Sequence, residues 1–302
     1  MGIEGLVGNT PLLRLTRWER YQGLSSRLFA KWEGVNPTGS IKDRAALALI
    51  RDGERKGALQ PNGEIVEATS GNMGISLAAL GRAMGYQVTI VMPEGMSEER
   101  ALRIRAYGAR LVYSLPEQGM AGAMALAEGL ASERCGVYQP RQFDNPASVK
   151  VHEKTTAKEL FVQNSQIAIF ACGIGTGGTL MGVGRYVQKQ GIKSQIVGIE
   201  PSNSPVISGG RSNFHKIEGI GANFVPPLFD RAFVDALMGV TYEEAVACMR
   251  DFARVEGLLI GISAGANLAI LTKIAKEGRY PDAHLATVFP DGGERYFSRK
   301  IF

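Results

Sequence analysis

Short apolar runs of β type alternate with helical patterns along most of this chain, and that alternation limits its fold more than any other feature. Ile65-Val66-Glu67-Ala68 reads as a strand, followed by the turn Thr69-Ser70-Gly71-Asn72 and a helix over 74–82. Residues 87–92 read as a strand and 96–109 as a charged amphipathic helix opened by Ser97. A strand over 110–114 and an Ala-rich helix over 119–132 come next. Strands over 166–171 and 195–200 flank a helix over 180–190. Thr241, with Glu244 three residues on, forms a capping box for a helix over 241–255. A helix over 264–277 and a strand over 284–289 close the pattern. Such alternation predicts α/β architecture, with parallel sheets covered on both faces. Residues 201–227 are rich in Gly, Ser, Asn and Pro and read as a long functional loop. Asp144-Asn145-Pro146 reads as a crossover between two αβ lobes, and 302 residues suffice for both.

Composition removes several function classes. No Lys/Arg cluster with interleaved aromatics appears, and the net charge is only +5, so nucleic acid is not an expected partner. The longest apolar stretches are strand-sized or carry charges, so no membrane span is expected. Met1 to Leu13 has no basic-then-apolar signal region. The three cysteines (Cys135, Cys172, Cys248) lack metal-type spacing and point to a reducing cytoplasm with free, buried thiols. The histidines His152, His215 and His284 are scattered, so no metal site is expected.

Three Gly-rich turns each follow a strand and precede a helix, where open α/β sheets bind ligands. Ala68 to Gly74 offers hydroxyls, an amide and backbone N–H groups at a helix start, a cradle suited to a carboxylate. Gly173 to Thr179 lets successive N–H groups wrap a phosphate, with two threonine hydroxyls as further donors. That loop has a second reading. Gly173, Gly175 and Gly178 satisfy G-x-G-x-x-G, and Glu200 ends the next strand where a ribose-binding acid of an NAD site belongs. The third turn, Gly261 to Ala266, presents Ser263, whose hydroxyl can face a ring nitrogen or simply cap a helix.

Lys42 lies in Asn36-Pro37-Thr38-Gly39-Ser40-Ile41-Lys42-Asp43-Arg44, at a loop-to-helix junction punctuated by Pro37 and Gly39. A neutral lysine amine in a sheltered site is a nucleophile able to form a Schiff base with an aldehyde cofactor. The NAD reading explains neither Lys42 nor the first loop.

Together these pieces resemble the cysteine synthase family of fold type II pyridoxal-phosphate enzymes. The matching segments also include Gly8-Asn9-Thr10-Pro11-Leu12, Gln142-Phe143, His152-Glu153-Lys154-Thr155-Thr156, and Pro290-Asp291 with Gly293-Glu294-Arg295-Tyr296. They run from end to end in a compatible order. Lys42-Asp43-Arg44 and 96–100 are closest to the B-type isozyme, whereas 215–222 is more like the A-type. The resemblance implies two three-layer αβα lobes like the tryptophan synthase β-subunit, with the cofactor in the cleft. The smaller lobe would be 36–147, with the carboxylate loop; 1–35 plus 148–302 would form the larger, with the phosphate loop. It implies pyridoxal 5'-phosphate held by Lys42 as an internal aldimine, its phosphate by Gly175, Thr176, Gly177, Gly178 and Thr179. Asn72 would bond the ring hydroxyl, Ser263 would face the pyridine nitrogen, and Pro290 would line the ring site. Thr69, Ser70, Asn72, Met73 and Gln142 would hold the substrate carboxylate, with Gly219 beside the substrate.

The implied reaction is β-replacement: O-acetylserine and sulfide give L-cysteine and acetate through an α-aminoacrylate. Neighbouring chemistry on the same fold stays open: cysteine desulfuration releasing sulfide, cystathionine formation from serine, or O-phosphoserine as donor. A cytoplasmic homodimer is implied. Met73 replaces the family's threonine in the carboxylate loop. The lost hydroxyl is worth roughly 1.5–3 kcal/mol as a bond to a charged group, so weaker donor binding or a different donor is expected. A complex with serine acetyltransferase, received by that loop in A-type enzymes, is not expected. Ala157-Lys158, Gly292 and Asn223 also depart from the family pattern.

Overall fold

A computed structural model describes residues 2–69, 71–95, 98–134 and 136–302. Ser70, Ser97 and Cys135 lie outside the described residues, as does Met96. The chain starts with strand β1 (Leu12–Arg14), helix α1 (Thr16–Gln22), β2 (Arg27–Trp32) and α2 (Lys42–Arg55). It continues through β3 (Glu64–Ala68), α3 (Asn72–Ala83), β4 (Gln87–Pro93), α4 (Glu98–Ala106), β5 (Arg110–Ser114), α5 (Gly119–Ser132) and β6 (Val137–Tyr138). A helix α6 (Ala147–Val151) runs through a π-helical turn (His152–Ala157) into α7 (Lys158–Gln163). Then come β7 (Ile167–Gly173), α8 (Gly178–Gln190), β8 (Gln195–Pro201), β9 (Ala236–Val240), α9 (Tyr242–Glu256), α10 (Ile262–Lys276) and β10 (His284–Phe289). The capping box on α9 is present, with Glu244 N–H donating to Thr241 Oγ1 at 3.1 Å.

Two compact units result: the chain up to Val7 with Asn36–Ser148, and Gly8–Val35 with Val149–Phe302. The first seven residues were expected in the larger lobe. They group with the smaller unit because Ile3 and Val7 pack against its core.

In the smaller unit the sheet order is β5-β4-β3-β6, all parallel. Alternate strand residues point to opposite faces. Ile65 and Ile90 accordingly join a core with Leu49, Leu77 and Ile104, from α2, α3 and α4. Val66 and Val91, one residue further along, join a second core with Ala123 and Ala127 of α5. Two separate cores on one sheet make three layers.

In the larger unit the order is β1-β2-β10-β7-β8-β9; only the β1–β2 edge is antiparallel. Val197 and Ile199 face the core shared with α9 and α10. Gly198, between them, faces the other way, where a Cβ would lie 3.2 Å from Leu180 of α8. Helices therefore cover both faces here too. The carboxyl ends of β3 and β7 lead into the first two Gly-rich turns, while the third precedes α10.

Candidate active site

In the smaller unit, the segment before α2 is fixed by a buried carboxylate. Asp43 is fully buried; it accepts from Thr38 N–H at 2.7 Å, Thr38 Oγ1 at 2.5 Å and Ser76 Oγ at 2.6 Å. Arg103 of α4 donates to Thr38 O at 2.7 Å. Gly39, at φ +81°, supplies the left-handed step that closes the turn. Lys42 opens α2, half-buried, with its N–H donating to Ser40 Oγ at 3.3 Å. Asp43 thus ties the lysine segment to α3, the helix that begins with Asn72.

Thr69 is buried; its N–H donates to Val91 O at 2.9 Å and its hydroxyl accepts from Gly71 N–H at 3.2 Å. Gly71 caps α3 without a side-chain hydrogen bond of its own, at a helix end whose N–H groups and dipole suit an anion. Met73 was expected among the substrate contacts. Its side chain, 2% exposed, belongs to the α2–α3–α4 core, which leaves the backbone N–H as the group expected to meet a ligand. A thioether fits that apolar layer; a threonine hydroxyl would need a buried partner there. Gln142, 5% exposed, donates from Nε2 to Ala68 O at 3.3 Å. An amide has two N–H donors, so one remains for a ligand.

Glu67 precedes this loop and was not singled out by the sequence. Burial pushes its carboxyl up to about 7, offset by N–H groups of Gln142 and Arg141 and raised further by nearby Asp144. The folded state therefore binds this proton more tightly than the unfolded chain does. The associated stability is present below the ordinary Glu range and is lost as pH rises through 7. Relative to Glu67→Gln, the wild type should lose about 2–3 kcal/mol of unfolding free energy between pH 5 and pH 8. Denaturant titrations of both proteins check this, and parallel pH profiles would refute it.

In the larger unit, Gly173 to Thr179 joins β7 to α8. Gly173 N–H donates to Asn267 Oδ1 at 2.8 Å, and Asn267 Nδ2 donates to Val288 O at 2.8 Å, so α10 anchors the loop to β10. A Cβ on Gly175 would stand 2.5 Å from Gly219 O. Gly177, at φ +85°, caps α8 with no side-chain partner. Thr176 Oγ1 accepts from Gly178 N–H at 3.4 Å. Thr179 Oγ1 lies 3.4 Å from His152 Nε2, and His152 Nδ1 lies 2.9 Å from Thr156 Oγ1 across the π-turn. His152, which the sequence offers as a scattered histidine and as part of the 152–156 family segment, is buried beside Thr179 at the end of the 173–179 loop.

Ser263 lies in the first turn of α10, 4% exposed, and a Cβ on Gly219 would be 3.5 Å from its hydroxyl oxygen. Gly219 has φ +94°, so it meets the serine as bare backbone. Pro290 follows β10 directly, and Asp291 O accepts from Gly261 N–H at 3.0 Å, which links the segment after β10 to the α10 start. Glu200, the acid of the NAD reading, accepts from Ile207 N–H at 2.8 Å, Ser208 N–H at 3.1 Å and the Ser208 hydroxyl. It organises its own loop and is not free for a ribose. Cys172 is buried and Cys248 half-buried.

The chemistry of this donor set fits an anionic phosphoester: a glycine-rich loop in which Gly173 and Gly175 leave no room for a Cβ, and a helix start with no side-chain cap. The serine hydroxyl adds a neutral partner for a ring nitrogen.

A family profile described as pyridoxal-phosphate dependent enzyme matches residues 3–291. A cysteine synthase of Staphylococcus aureus strain Mu50 is 42% identical, covering 99% of this chain and 96% of the relative. The structure of a cysteine synthase from Entamoeba histolytica superposes with a TM-score of 0.95 at 31% identity, covering 99% of this chain and 90% of that one. The structure of an O-ureido-L-serine synthase gives 0.95 at 39% identity, covering 100% and 94%.

Proposed function

Because the chain belongs to the family of pyridoxal-phosphate-dependent enzymes, we propose that it is a cysteine synthase, converting O-acetylserine and sulfide to L-cysteine and acetate. When bound, the cofactor supplies an aldehyde that condenses with amines and a ring that draws electrons from the α-carbon. Lys42 would bind that aldehyde, and the N–H groups of Gly175 to Gly178, with Thr176 and Thr179, would hold the phosphate. The observation that carries the reading is the neutral hydroxyl of Ser263 at the start of α10. A hydroxyl does not enforce a protonated ring, and a weaker electron sink favours prompt loss of a β-substituent over a long-lived carbanion. Asn72, Thr69 and Gln142 orient the donor through its carboxylate. The Lys42 amine, once released, takes the α-proton while acetate leaves the β-carbon with the bonding electrons. Sulfide then forms the new bond at that carbon, and Lys42 returns its proton to the α-carbon. The identity with cysteine synthase along 99% of the chain supports sulfide as the acceptor.

A second reading changes the acceptor, supported by 39% identity to a protein named O-ureido-L-serine synthase. The deciding experiment follows the visible spectrum while O-acetylserine is added without sulfide. The band is expected to shift, then to recover on adding sulfide with release of cysteine. A band that never moves would reject this donor; one that moves but ignores sulfide would favour the second reading.

A further inference from the structure

Glu67 lies at the end of β3, two residues before Thr69, and is 3% exposed. Its carboxylate accepts Arg141 N–H at 2.8 Å on Oε2 and Gln142 N–H at 3.1 Å on Oε1. Arg141 is a non-glycine residue at φ +56°, a conformation that persists only when its surroundings hold it. The Arg141 carbonyl in turn accepts from Asp144 and Asn145 N–H at 3.1 and 2.9 Å. This strained turn delivers the side chain of Gln142 to Ala68 O. We infer that Glu67 is a positioning residue for the substrate-carboxylate clamp: its two accepted N–H bonds hold the Arg141 turn and thereby aim Gln142 at the Ala68–Thr69 loop. The inference rests on Gln142 binding an α-carboxylate, as the proposed function has it.

A pH dependence follows. An ionised carboxylate accepts both N–H groups; a protonated one presents a hydroxyl donor to one of them and loses that bond. The groups facing Glu67 do little to hold it ionised. Arg141, the nearest cation, pairs through Nε with Asp144 Oδ2 at 3.2 Å. Asp144 itself and Glu128 of α5, which lines the same cavity, are both acids. Tyr138 on β6 is also coupled to it and is itself held protonated by burial. With the Glu67 carboxyl pushed up to about 7, the clamp firms as pH rises through neutrality and loosens below it.

Glu67→Gln imitates the protonated acid, with one acceptor and one donor. It should raise KM for O-acetylserine about tenfold at pH 8 and change kcat less than twofold. The wild type should show a matching rise in KM below pH 7, absent from the variant; the substrate's own titration is common to both and cancels. Spectral Kd values for O-acetylserine, serine and cysteine, which share the carboxylate, accompany the kinetics. Gln142→Ala should also remove the pH step, and it serves if Glu67→Gln fails to fold. A variant that matches wild-type KM at every pH, or that only melts earlier, overturns the inference. A wild type that binds serine or cysteine but not O-acetylserine rejects the proposed donor and still tests the clamp. One whose spectrum responds to none of the three overturns both.

Discussion

Lys42→Ala is expected to lower turnover by about 10³-fold or more and to abolish the borohydride-sensitive visible absorbance. The fold should survive. Lys42 is half-buried, while Ser40, Ile41, Asp43 and Arg44 around it are buried and set the backbone. Alanine is also the best residue for a helix start that lacks other demands. Lys42→Arg should fail in the same way, because a guanidinium keeps its charge but never offers a neutral nucleophile. Circular dichroism and melting curves would show both variants folded. Turnover within tenfold of the wild type, or absorbance that still bleaches with borohydride, would place the attachment on another residue.

The contrast between Lys42 and its neighbour shows what the sequence made legible. The three Gly-rich turns and the lysine segment announce themselves locally, because turn chemistry and helix starts are written within a few residues. Asp43 and Glu67 do not. A buried acid is defined by its partners, and some of these lie far along the chain: Ser76, beside the nearby Thr38, for Asp43, and Arg141 and Gln142 for Glu67. From β3 to α5, and at β7, α8, β8, α9, α10 and β10, the elements fall where their apolar runs and helical periods place them, whereas the short β6, α6, α7 and β9 carry too few residues to show a period. β2 escapes that reading because Lys31, fully buried, breaks its apolar run. Only the fold supplies the Lys31 partners: Thr10 O at 2.7 Å, Gln163 Oε1 at 2.8 Å and Glu159 Oε2 at 2.8 Å. The burial of the Met73 side chain is illegible for the converse reason. Position 73 matches a ligand-binding position in the family, yet an apolar side chain there turns into the core.

Gly175→Ala is expected to weaken pyridoxal-phosphate affinity by about a hundredfold while the chain stays folded. The added methyl would sit 2.5 Å from Gly219 O, a backbone atom, so one of the two segments must move. The 217–221 segment resists. Ile217 and Ile220 are in the core. Gly219 is committed to φ +94°. The 173–179 loop therefore yields, and its N–H groups swing away from the phosphate position. A displacement near 1 Å in an oriented site costs on the order of 10²-fold. Gly129→Ala in α5, where a Cβ meets nothing within 4 Å, is the control and should leave affinity unchanged. Dialysis to the apoprotein, followed by absorbance titration with pyridoxal phosphate, measures both. Wild-type affinity in Gly175→Ala would mean that the phosphate is held elsewhere, since no bound anion could ignore a shift of every donor around it.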